Sequence, residues 1–129
     1  MTTGRCYLVH ALAPQGATAH AANELLNEYI GDRRRGICVF HDHFVGEHGG
    51  VAVFEVRTAE QRALLDDPGP LTGWSLSVHG LTFSLAAVGF IAQAELTMRE
   101  YSGVTLEQLR AEDEPAKRHW WNRPEQASS

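Results

Sequence analysis

Gly36-Ile37-Cys38-Val39-Phe40-His41-Asp42-His43-Phe44-Val45, then Gly46-Glu47-His48-Gly49-Gly50, then Val51-Ala52-Val53-Phe54-Glu55-Val56 reads as two strands about a glycine-rich reversal. β-Branched and aromatic residues crowd both flanks, and the glycines suit a tight connection with positive φ. The stretch predicts a hairpin, with strand two over about 36–45 and strand three over about 51–56.

Upstream, Cys6-Tyr7-Leu8-Val9-His10-Ala11-Leu12 is rich in strand formers and stops at the turn signal Ala13-Pro14-Gln15-Gly16. From 17 to 30 the apolar Ala22, Leu25, Leu26 and Tyr29 recur at helical spacing, and Gly31 stands where a C-terminal cap belongs. Downstream, Thr58-Ala59-Glu60-Gln61 forms a capping box ahead of Leu64 and Leu65, and that helix ends in Asp66-Asp67-Pro68-Gly69-Pro70. Strand four runs from Trp74 to about Phe83, with Trp74, Leu76 and Val78 alternating against Ser75, Ser77 and His79. The order is βαββαβ. Right-handed crossovers then give an α+β, ferredoxin-like antiparallel sheet of order 4-1-3-2 with both helices on one face. The other face would carry Ile37, Val39, Val51 and Val53, too apolar for water, so a second copy of the chain is its expected cover.

The core so predicted spans about 5–83 of a single domain over 1–129, and a helical extension covers about 84–122. Ser84 can cap a helix whose Ala87, Ile91, Ala94, Met98 and Tyr101 are spaced by four and three residues in turn, closed by Gly103. Thr105-Leu106-Glu107-Gln108 is a second capping box; Pro115 interrupts the helix it starts, and Trp120-Trp121 anchors the end before a polar tail.

Composition narrows the function classes. With 43% hydrophobic and 21% charged residues, the chain fits neither the disordered nor the membrane-spanning class. The apolar run at 85–94 is shorter than the roughly 20 residues a bilayer needs. Net charge is −5, and the one basic run, Arg33-Arg34-Arg35, has no aromatic interleaving; it reads as a solvated turn, with no nucleic-acid partner. Cys6 and Cys38 fit neither a disulfide framework nor a zinc ribbon and are expected to be inert buried thiols. The start of the chain lacks signal-peptide character, which predicts a cytoplasmic location. The glycines match no phosphate or dinucleotide fingerprint, and no cofactor is expected.

Strand alternation places Ile37, Val39, His41, His43 and Val45 on one face and Cys38, Phe40, Asp42 and Phe44 on the other. If Val45 pairs with Val51, His41 lies across from Glu55; a slip of one residue puts Asp42 there. His10 of strand one and Ser75, Ser77 and His79 of strand four join the same face. Imidazoles beside a carboxylate are tuned as general bases near neutral pH. His41, Glu55 and His79 are therefore the candidate catalytic groups, and His10, His43, Ser77 and Trp74 the candidate substrate contacts. A metal reading competes for His41, His43 and Glu55, since a His-x-His pair projects two imidazoles to one side. His20, His48 and His119 read as surface residues.

The order of elements, the glycine hairpin and the segment Ser77-Val78-His79-Gly80-Leu81-Thr82-Phe83 with its helical tail resemble the dimeric α/β-barrel superfamily, over about 5–83. Antibiotic-biosynthesis monooxygenases, stress-responsive barrel proteins and olivetolic-acid-type cyclases belong to it. The resemblance implies a homodimer whose facing sheets enclose an aromatic or polyketide-like substrate, and a cofactor-independent monooxygenase or cyclase. The Asn, Trp and His set of the heme-degrading branch has no counterpart here. The alternatives are a non-catalytic small-ligand-binding or stress-related dimeric module, and a histidine-based metal-binding protein.

Overall fold

In the computed structural model, which describes residues 4–112, the elements follow the order read from the sequence. They are β1 (Arg5–Leu12), α1 (Ala19–Gly31), β2 (Ile37–His43), β3 (Gly49–Val56), α2 (Ala59–Asp66) and β4 (Ser75–Gly80). The strands form one antiparallel sheet of order β2-β3-β1-β4, the 4-1-3-2 arrangement met from its other edge. Pro115, His119, Trp120 and Trp121 lie outside the described residues.

The core sits between the sheet and the two helices. Val9 and Ala11 of β1 and Ala52, Phe54 and Val56 of β3 meet Leu26 and Tyr29 of α1 and Leu65 of α2. Each such buried valine, leucine or phenylalanine side chain stabilises the fold by about 1.5–3 kcal/mol relative to exposure. The Tyr29 and Phe54 rings meet edge to face at 84° with centroids 5.9 Å apart.

Local chemistry starts the helices where the sequence places them. Thr18 Oγ accepts the Ala21 N–H at 3.2 Å ahead of α1. At α2, Thr58 Oγ accepts the Gln61 N–H at 3.1 Å, while Gln61 Oε1 reaches back to the Arg57 N–H at 2.7 Å, one residue upstream of the usual target. The end of α1 differs from expectation. Gly31 stays helical, and Asp32 ends the helix at φ −81°, then accepts the Arg34 N–H at 3.1 Å to start a 3-10 turn, Arg33–Arg35. A carboxylate that can bond forward replaces the glycine cap.

The arginine run is not wholly solvated either. Arg34 is exposed and paired with Asp32, but Arg35 is buried. Its guanidinium lies 4.0 Å from the Tyr29 ring centre and donates to the carbonyls of Leu64 (3.1 Å), Asp67 (3.1 Å) and Tyr29 (3.4 Å). It thereby adds a second donor to the Tyr29 and Leu64 carbonyls, which already accept the Asp32 and Asp67 N–H groups, and ties the ends of both helices together.

In the hairpin, the Phe44 N–H donates to the Gly49 carbonyl at 2.9 Å. Gly49 has φ 148°, and a Cβ there would stand 2.1 Å from the Ala11 carbonyl oxygen, so β3 can approach β1 only as glycine. A Cβ on Gly50 would meet Leu26 of α1 at 2.7 Å.

The main departure from the sequence reading is in β2. Cys38 pairs with Phe54 but Phe40 with Val53, so Val39 is an extra residue, a β-bulge. The bulge reverses the alternation beyond it. Ile37, Phe40 and Asp42 share the face away from the helices, and Cys38, His41 and His43 face the helical side. His41 lies across from Ala52, and Ile37, rather than His41 or Asp42, lies across from Glu55.

Beyond β4, the chain divides into units that part after Phe90. Helix α3 (Ala87–Thr97) starts with the Phe90 N–H on the Ala86 carbonyl at 3.0 Å, so Ala86 takes the cap position expected for Ser84. The helix widens into a π turn, Met98–Ser102, closed by Gly103 at φ 68°. That wider turn breaks the predicted four-three spacing between Met98 and Tyr101. Thr105 and Gln108 form the predicted box in full, each side chain accepting the other's backbone N–H at 3.0 and 2.8 Å, and a helix follows from residue 106.

Candidate functional site

The sheet face opposite the helices gathers its side chains in rungs. Asp42 of β2 pairs with Val51 of β3, Val51 with His10 of β1, and His10 with Ser77 of β4. On the next rung stand Phe40, Val53, Leu8 and His79 in the same strand order. Neighbours along a rung have Cβ atoms roughly 5 Å apart. His10 is therefore central, on an inner strand, with apolar residues toward β3 and polar ones toward β4.

Contacts sharpen this picture. The His10 ring is tilted against Phe44 with centroids 5.3 Å apart. The His79 Nε2 is 3.2 Å from Ser77 Oγ, linking the two polar side chains of β4. Phe90 stacks on Phe40 at 6.3 Å, and Val53 is only 1% exposed, so this face is less bare than the sequence suggests. Ile37 and Phe40 are the exposed apolar residues on it, at 43% and 46%.

Glu55 occupies the far end of the same face. It lies across from Cys6, four residues along β1 from His10, or roughly 13 Å at a strand rise of about 3.3 Å per residue. It is buried, and Arg57 Nη2 holds both its oxygens at 3.2 and 3.3 Å. Leu81 and Ser84 close this end by bonding to the Cys6 carbonyl and N–H at 2.9 and 3.0 Å. Burial, with Glu55 beside it, pushes the Cys6 thiol up, and burial does the same at Cys38. Neither sulfur is primed as a nucleophile.

The residues singled out from the sequence are thus divided. His10, Ser77 and His79 come together; Glu55 shares their face but not their neighbourhood. His41 and His43 are on the opposite face, where His43 Nε2 is 3.2 Å from Asn27 Oδ1 of α1. Trp74 packs beside the core with Leu76 and Val78, on the helical side. No three His, Cys, Asp or Glu side chains group as a metal site among the described residues, so His41, His43 and Glu55 do not form one centre.

Phe40 and Phe44 border His10, although simple alternation assigns them to the other side. The bulge that moves them carries no glycine or proline that could announce it. No protein-family model, curated protein or solved structure matches this chain.

Proposed function

We propose that the sheet face centred on His10 is one wall of a ligand enclosure completed by a second copy of the chain, and that it takes a small aromatic or polyketide-like molecule without a cofactor. The supporting observation is the placement of one imidazole on a floor of Leu8, Val51, Phe40 and Phe44, with the His79–Ser77 pair to one side. Apolar walls with a few convergent polar groups suit a planar ligand that bears hydroxyl or carbonyl groups.

The chemistry available is proton transfer. A neutral imidazole accepts a proton from a phenol, or from a carbon between two carbonyls, and leaves a phenolate or enolate. Cyclisation continues by attack of that carbon on a carbonyl within the same molecule, with the imidazolium returning the proton to the new alkoxide. A cofactor-independent oxygenation begins with the same transfer. Both reactions fit the resemblance to the dimeric α/β-barrel superfamily.

A second reading, a non-catalytic dimeric module, draws support from Phe90 on Phe40 and from the buried Val53, which fill part of the face with the chain's own side chains. Titrating phenols and β-diketones into the parent protein, His10→Ala and His41→Ala separates the cases. Binding weakened at least tenfold by His10→Ala and unchanged by His41→Ala supports the enclosure. Equal binding to all three removes it. Turnover of a bound compound, lost in His10→Ala, distinguishes an enzyme from a binding module.

A further inference from the structure

We propose that His41 and His43 chelate a divalent transition-metal ion on the helix-facing side of β2, a site independent of the His10 face. The bulge at Val39 turns both imidazoles to the side of α1, and their rings meet edge-on, with centroids 5.6 Å apart and planes at 90°. A metal held at about 2.0–2.1 Å by one nitrogen of each ring sets the ring centres roughly 5 Å apart. The pair stands close to that geometry as folded.

His43 carries a second mark of a ligand. Asn27 Oδ1, at 3.2 Å, can only accept, so this contact is a hydrogen bond in the tautomer that carries its proton on Nε2 and keeps a lone pair on Nδ1. That Nδ1 is buried and has no hydrogen-bond partner. Buried polar atoms are rarely left so. A ring with one nitrogen on a side-chain carbonyl and the other without a hydrogen-bond partner has the arrangement that metal-ligating histidines adopt. His41 is exposed, so its ring is the half of the chelate free to turn onto an incoming ion.

The donor set selects the ion. Two imidazoles with water in the remaining positions favour Cu²⁺ over Ni²⁺ and Zn²⁺, and disfavour Mg²⁺ and Ca²⁺. With no third His, Cys, Asp or Glu grouped with them among the described residues, the ion keeps open coordination positions.

The test uses the full chain, stripped with a chelator and titrated with copper(II) chloride, with binding followed by calorimetry and the bound ion by electron paramagnetic resonance. The expected result is one tight equivalent per chain, with hyperfine structure from two imidazole nitrogens. His43→Ala and His41→Gln should each weaken that equivalent at least tenfold. Asn27→Leu should weaken it by roughly tenfold, the usual scale for an outer partner of a metal-bound histidine, and Asn27→Asp should restore it. A combined His20→Ala, His48→Ala and His119→Ala variant should bind as the parent does. Unchanged affinity and spectrum in the His41→Gln/His43→Ala double variant, or no tight equivalent in the parent, would overturn the proposal. Apo-protein melting curves that match the parent's show that a loss of binding is not a loss of fold.

Discussion

At Tyr29 the hydroxyl donates to the Leu65 carbonyl at 2.7 Å, and burial pushes its pKa up to about 12 despite the opposing pull of Arg35. A phenol harder to ionise in the fold than in the unfolded chain contributes stability below the ordinary tyrosine pKa of about 10 and loses it as pH rises through the folded value. Chemical denaturation between neutral pH and strong alkali should therefore show a decline that Tyr29→Phe flattens, and at neutral pH the variant should lose about 1 kcal/mol with its hydrogen bond. Asp32 behaves in the opposite sense. The Arg34 hydrogen bond holds its carboxyl well below the usual range, so its contribution is present above an ordinary aspartate pKa and disappears on acidification. Asp32→Asn should be less stable than the parent at neutral pH, and the two should converge as the pH drops through the acid range. Equal stabilities at neutral pH would show that the Asp32 carboxylate's pairs with Arg34 and the buried Arg35 contribute nothing to the fold.

Among the elements, the hairpin and the capping box offer a graded comparison. Thr58→Ala removes one cap and should cost about 1 kcal/mol, whereas Gly49→Ala forces a Cβ against the Ala11 carbonyl at φ 148° and should cost more than about 2 kcal/mol. Urea unfolding of both variants checks the order; a Gly49→Ala protein as stable as the parent would contradict the close approach of β3 to β1. Element order, sheet order and both threonine boxes were legible because each has a local cause: alternation, helical spacing, or a hydroxyl and an amide three residues apart. The faces of β2 were not. Alternation read past Val39 as if the strand were regular sends His41 to Glu55, while one unpaired residue sends it to Ala52. A bulge made by a valine leaves no compositional trace, so His41 and His43 were read on the wrong side of the sheet. His10, Ser77 and His79 were legible as a group because β1 and β4 pair without interruption.

For the molecule as a whole, the surface left apolar argues for self-association. Ile37 and Phe40 are exposed at 43% and 46% on the His10 face, and Phe83 and Val88 follow at 73% and 79%. Isolated exposed hydrophobics are ordinary, but a soluble chain rarely leaves several large ones on a sheet face and in the segment that follows it. A stable pair buries roughly 800 Å² on each partner, more than scattered residues supply, so the sheet face itself has to take part. Sedimentation equilibrium should therefore give twice the 14.2 kDa chain mass. Phe40→Asp places a charge on the exposed apolar edge strand of the face and should shift the equilibrium to the single chain, whereas Thr82→Asp, outside the face, should not. Two copies that each carry −5 repel one another. Added salt screens that repulsion and strengthens apolar burial, so association should tighten as ionic strength rises, opposite to a pair held by complementary charges. A parent that sediments at 14.2 kDa at every salt concentration would leave His10 on an open wall, and the proposed enclosure would have no second side.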